Sequence, residues 1–155
     1  MINIKSSMLI CLPVDQVFEF VSKPENDFHW QYGTLETANL SDGLSEIGTF
    51  FRSIGHLVGH RNLSTFEVVE YKKNSKYGFR SLSGPLHSHT SYAFEIVEGG
   101  TRVNVITRAH VIDFFKVNER SLGKKIKNQT KENLMILKSL LEAKVSNLEM
   151  TPLAL

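Results

Sequence analysis

"PVDQVFEFVSKPENDFHW", Pro13 to Trp30, decides how the rest of the chain is read. Val14, Val17, Phe18 and Val21 recur at i, i+3, i+4 and i+7, which gives a first short helix one apolar face. Pro13 suits its first position, and Asp15 in the first turn complements the helix dipole. A polar N-cap is missing, since Cys11 and Leu12 precede the proline. Lys23-Pro24 ends the helix, because the residue before a proline avoids the α region. Pro24-Glu25-Asn26 then starts a second short helix that delivers Phe28 and Trp30, the only tryptophan.

On both sides of this stretch the period is two. Ile2 to Leu12 alternates loosely and reads as a first strand. Beyond it, strands are expected at Thr34–Leu40, Gly48–Leu57, His60–Tyr71, Tyr77–Ser83, His87–Val97 and Thr101–Phe114. Ser41-Asp42-Gly43, Lys72-Lys73-Asn74-Ser75, Ser83-Gly84-Pro85 and Glu98-Gly99-Gly100 supply turn chemistry between them. Consecutive strands with short turns predict an antiparallel meander. From Val117 to about Asn147 the pattern becomes helical, with a stripe through Leu122, Ile126, Asn133, Leu137, Leu140 and Lys144. The stripe is interrupted by Gln129, Thr130 and Asn133. A helix of that length runs on the order of 45 Å and must lie across the whole sheet. The two short helices cannot pair with strands, so they are expected to close the end of the sheet that the long helix does not reach. Trp30 and Phe28 would then stand in the wall or mouth of an interior space. A core plug is the competing role for Trp30.

The chain has 155 residues, which predicts one domain, residues 1–150, with 151–155 as a short tail. A net charge of +2 makes no electrostatic case for nucleic acid. Cys11 is alone, so it forms neither an internal disulfide nor a thiolate metal cage, and a buried structural thiol is expected. The early apolar run, Met8 to Val14, is too short for a membrane helix and lacks a basic start. A cytoplasmic protein without integral membrane association is expected.

Five segments carry a resemblance to a known family. They are the helix pair quoted above, "IGTFFR" (Ile47 to Arg52), "FEVVEY" (Phe66 to Tyr71), "FEIVEGGTRV" (Phe94 to Val103) and "LKSLLEA" (Leu137 to Ala143), the helix pair counted among them. In this order they resemble the START-like, Bet v 1-like superfamily, which includes polyketide cyclase/dehydrase and lipid-transport proteins (SRPBCC). The resemblance implies an α+β helix-grip fold: a curved antiparallel sheet wrapped around a long C-terminal helix, with an internal cavity. It implies an apolar lipid-like or aromatic ligand, with binding as the role and transport as an option. Cyclase or dehydratase chemistry in the same cavity is one alternative, and a protein-interaction module with a filled cavity is another. Fold alone does not choose among them.

Strand alternation assigns the faces. Tyr92, Phe94 and Ile96 share one with Val103, Val105 and Thr107, and their apolar members mark it as the inner face. Phe51, Ser53, Phe66, Val68, Phe79 and Ser81 also point inward by this parity. Arg52, Glu67, Arg80, Arg102, Asn104 and Arg108 point outward. The expected ligand-binding set is therefore Trp30, Phe51, His60, Phe66, Phe79, Tyr92, Phe94, Thr107 and Asn133. Gln129 and Thr130 could add polar contacts. Gly55 to His60, with two glycines, and the long helix would form the entrance.

His60 with Tyr92 is the pair named for acid–base chemistry on a polyketone. Asp113 is assigned to a turn or the mouth. His87 and His89 share a strand face about 7 Å apart, with His110 on the neighbouring strand. Parity places all three outside as a solvated cluster, so no metal is expected there. Gly-rich phosphate loops, GxSxG and HExxH are absent from the sequence, and no cofactor is expected. Phe50, Ile54 and Ile112 on the outer face raise a homodimer as an option.

Overall fold

The computed structural model describes residues 1–41, 46–57, 59–112 and 118–150, with side chains described through residue 143. Strand β1 (Ile2–Ile10) is followed by α1 (Val14–Val21), a 3-10 turn (Pro24–Asn26) and α2 (Asp27–Trp30). Strands β2 (Thr34–Asn39), β3 (Phe50–Leu57), β4 (His60–Lys72), β5 (Lys76–Ser83), β6 (Leu86–Val97) and β7 (Gly100–Val111) come next. Helix α3 (Glu119–Met150) completes the α+β order expected from the sequence. The last strand stops at Val111. The expected Asp113 and Phe114, part of the Ser41–Gly43 turn, and the tail lie outside the described residues.

All seven strands pair antiparallel in the order β1-β7-β6-β5-β4-β3-β2, so β1 closes the meander by joining β7. Three extra residues bend it. Leu35 is unpaired between β2 and β3, Leu82 between β5 and β4, and Val69 between β4 and β5. A bulge of this kind kinks its strand and increases the local twist, which is how an antiparallel sheet curves around a helix.

Pro13 proves to be the N-cap of α1, not its first helical residue: its ψ of 148° is extended. Val17, Phe18 and Val21 are buried as the apolar spacing required. The Phe18 ring meets Tyr71 and Phe94 edge-on, with centroids 5.4 and 5.1 Å apart, so α1 covers the β6 end of the inner face. Along α3 the buried residues are Leu122, Asn133, Leu134, Leu137 and Leu141. The expected stripe drifted toward Leu140, which is half-buried, and Lys144, whose side chain lies outside the described ones. The helix seats the 134-137-141 rows because spacings of three then four keep one side facing the sheet. Leu122 packs with Ile2, Ile4 and Ala109 in a smaller cluster apart from the main core.

Ile96 is a correction: it shares the parity of Phe94 but is 75% exposed, because it stands beside the β6–β7 turn, where no element among the described residues covers it. Outside, Arg80 donates to Glu67 at 2.7 Å, as the outward parity of both implies. Phe50 and Ile112 are exposed, and Ile54 is half-buried. No helix among the described residues is long and apolar enough to cross a membrane.

Candidate functional site

A cavity of about 840 Å³ opens between the inner face of the sheet and α3. Its aromatic wall follows from the inward parity of β3, β4 and β5. Phe51 and Phe66 stack with centroids 5.2 Å apart, and Phe79 stands edge-on to each at 5.3 Å. Tyr92 on β6 continues the wall, with Trp30 edge-on to it at 6.0 Å. Phe51, Trp30, Tyr92 and Leu134 form a buried end, whereas His56, Gly59, Lys125 and Glu132 form an exposed rim. A side lobe of about 180 Å³ shares Ser53, Leu57, Phe66 and Ser88 with the main space. The backbone amide of His56 donates to the Gly33 carbonyl at 2.7 Å, tying β3 to the segment after α2.

The helix side of the cavity carries a polar chain. The Tyr32 amide donates to Asn133 Oδ1 at 2.9 Å, and Gln129 Nε2 donates to the same oxygen at 2.9 Å. Asn133 Nδ2 donates to Gln31 Oε1 at 2.8 Å, and Gln31 Nε2 donates to the Tyr92 hydroxyl at 3.2 Å. Satisfied in this way, a buried amide such as Asn133 costs little and holds its neighbours in one arrangement. Across the cavity Thr90 and Thr107 share a hydrogen bond at 3.1 Å. Ser81 donates to the Leu86 carbonyl and accepts from the Ser88 amide, which holds the β5–β6 turn.

Asp27, half-buried, lines the same cavity from the first turn of α2. Burial holds its carboxyl well above the usual carboxylate range, and the charge of Glu25 pushes it further. Burial also raises the phenols of Tyr77 and Tyr92, with the Asp27 charge next in each case, although the hydrogen bond from Gln31 opposes the shift at Tyr92. Sequence reasoning passed over Asp27, since a carboxylate at a helix start ordinarily answers the helix dipole. Its only legible signal is position: Trp30 and Gln31 lie three and four residues on, hence on its own helix face.

The raised pKa has a consequence for stability. Asp27 binds its proton more tightly in the folded chain than in the unfolded one, where about 3.9 is normal. Its contribution is therefore fully present below that value and is lost as pH rises through the folded pKa. Asp27→Asn should raise the melting temperature at pH 8 and leave it nearly unchanged near pH 3.5. Equal shifts in scanning calorimetry at both pH values would contradict the raised pKa of this carboxyl.

Trp30, Phe51, Phe66, Phe79, Tyr92, Thr107 and Asn133 all line the cavity. Phe94 is buried under Phe18 of α1 and takes no part in its lining. His60 has inward parity opposite Leu57 but is exposed at the hairpin end, where Leu57 and Gly59 supply the wall. The structure therefore does not assemble His60 with Tyr92. Phe28, expected beside Trp30, is 58% exposed and outside the cavity. Trp30 is 2% exposed, and its indole Nε1 has no hydrogen-bond partner among the described residues. Cys11 is exposed, not buried, since it leaves the sheet at the end of β1, and its amide donates to Glu142 at 2.9 Å. His87 and His110 have ring centroids 5.4 Å apart, and His89 faces Glu70 at 3.3 Å.

A curved antiparallel sheet around a long C-terminal helix, with short helices at one end, is the helix-grip fold of START-like and Bet v 1-like proteins. Solved structures share it. A Zhui aromatase/cyclase from a Streptomyces species superposes with a TM-score of 0.75 at 14% identity, over 92% of this chain and 94% of that one. A START superfamily protein from Mycobacterium smegmatis gives 0.70 at 15% identity, over 94% and 98%. Ara h 8.0201 gives 0.69 at 11% identity, over 91% and 97%. No family model matches the sequence, and no curated protein matches it. Identities this low carry the fold and nothing finer.

Proposed function

We propose that the protein binds an apolar small molecule, aromatic or lipid-like, in the cavity between the sheet and α3. The observation that carries this reading is the cavity itself: about 840 Å³, open at one side, and walled by aromatic rings. That volume lies within the roughly 300–1,000 Å³ of small-molecule sites, and a mostly apolar lining with a few fixed polar groups is their usual chemistry. A module that used this fold only to present its surface would fill the interior with side chains. The acid–base pair named for a cyclase or dehydratase, His60 with Tyr92, is not assembled, and that reading has no observation of its own on those two residues.

Native mass spectra of protein taken from its own cells, beside spectra under denaturing conditions, test the proposal. A mass excess of a few hundred daltons that vanishes on denaturation is the expected result. Bare protein under both conditions, together with failure to take up any apolar aromatic probe, would overturn it.

A further inference from the structure

We propose that Asp27 and Tyr92 form an oxygen-recognition site at the buried end of the cavity, taking an apolar ring system or chain that bears a neutral ketone or hydroxyl. This rests on the reading that the cavity binds an apolar molecule, and it names the group by which the molecule is oriented.

The direction of the polar chain decides what Tyr92 offers. The backbone amide of Tyr32 can only donate, so the oxygen of Asn133 must face it. The nitrogen of Asn133 then faces Gln31 and fixes the oxygen of Gln31 toward α3. The remaining nitrogen of Gln31 donates to Tyr92, whose oxygen is thereby an acceptor. Neither amide can flip without setting two donors or two acceptors against each other. The proton of Tyr92 is left with no acceptor among the described residues, on a side chain only 6% exposed that lines the cavity. A buried hydroxyl donor left unpaired costs on the order of 1–3 kcal/mol, so an oxygen supplied by a ligand would be bound there with gain.

Asp27 lies one helical turn before Gln31, on the same face of α2, and lines the same cavity. Desolvation first, and the Glu25 charge second, raise its carboxyl above the usual range, and a protonated carboxyl donates to an oxygen. The charge of Glu25 in the 3-10 turn acts on it, and its own charge acts in turn on Tyr77 of β5 and Tyr92 of β6. From α3, Lys125 and Glu132 line the cavity, as does His56 of β3, all exposed at the rim, and Glu36 of β2 is exposed. No cationic side chain among the described residues lines the buried end, so an anionic ligand group would find no counter-charge there. Two proton donors in an aromatic pocket without a cation select a neutral oxygen.

The probes are 2-acetylnaphthalene and 2-isopropylnaphthalene, which differ by a carbonyl oxygen in place of a methyl group. Binding to the full chain is read by calorimetry and by fluorescence of Trp30, with melting curves of each variant as a check on folding. The wild type should prefer the ketone by roughly fivefold to tenfold, the scale of one or two net hydrogen bonds. Tyr92→Phe and Asp27→Leu should each bring that preference to within about twofold while leaving the hydrocarbon's affinity near wild type. The wild-type preference should also shrink as pH rises and Asp27 loses its proton, a readout that stands if a variant fails to fold. Equal binding of both probes by wild type, or a preference that survives both substitutions and is flat with pH, would overturn the oxygen site and leave ligand binding intact. Binding of neither probe would overturn the binding reading itself, and this inference with it.

Discussion

Phe51→Ala should cost about 3–5 kcal/mol of stability, the range for truncating a buried aromatic ring. Phe51 is 1% exposed and holds two neighbours at once, Phe66 face to face and Phe79 edge-on. Removing it deletes both contacts and extends the existing cavity, so neighbouring rings have free space on one side and little reason to close the gap. For a chain of this length the loss corresponds to a fall of roughly 6–20 °C in melting temperature. Urea unfolding of the variant beside wild type measures it. A loss under 1 kcal/mol would mean that the ring cluster is loosely packed and the cavity wall softer than its geometry implies.

Gly100→Ala should be nearly as damaging, for a backbone reason. Gly100 opens β7 with φ of +150°, which side chains rarely adopt. A Cβ there would collide with the carbonyl of Ile10 and the Cα of Cys11, both backbone atoms that cannot rotate away. Ile10 pairs with Thr101 at the end of the β1–β7 ladder, and Thr101 is fully buried with its hydroxyl donating to the Leu12 carbonyl at 2.8 Å. The substitution must therefore pry β1 from β7 where the chain turns into α1. Strained φ alone costs about 1–3 kcal/mol, and the displaced ladder adds to it. Hydrogen exchange should show the β1–β7 amides losing protection first. Wild-type melting with intact protection would show that the close approach of Gly100 to β1 is not what holds that end.

Much of this architecture is legible in the chain because it depends on local periodicity. Val17, Phe18 and Val21 are buried on α1 as their spacing requires, and Phe51, Phe66 and Phe79 face inward as period two requires. Parity failed at the ends of elements. Ile96 and His60 have the inward phase, yet each stands beside a turn and is exposed. Phe94 has the inward phase and is buried, but α1 and not the cavity covers it. Alternation says which side of a sheet a residue takes. It does not say what stands on that side.

The candidate site divides along the same line. The aromatic wall was readable strand by strand. Asp27 and Gln31 were not, because neither lies in a periodic strand and each is an ordinary residue for a helix end. Their meaning comes from Asn133, more than a hundred residues away in the chain, whose amide the Tyr32 backbone fixes.

By itself the sequence determined the order of strands and helices, the inner and outer faces of the sheet and the long closing helix, since hydrophobic period and turn chemistry act between near neighbours. Only the tertiary structure decided which inward residues meet empty space and which meet α1. It alone set the direction of the chain from Tyr32 to Tyr92 and the burial that keeps the Asp27 carboxyl above its usual range. Those properties depend on desolvation and hydrogen-bond partners, which exist only once distant segments have been brought together.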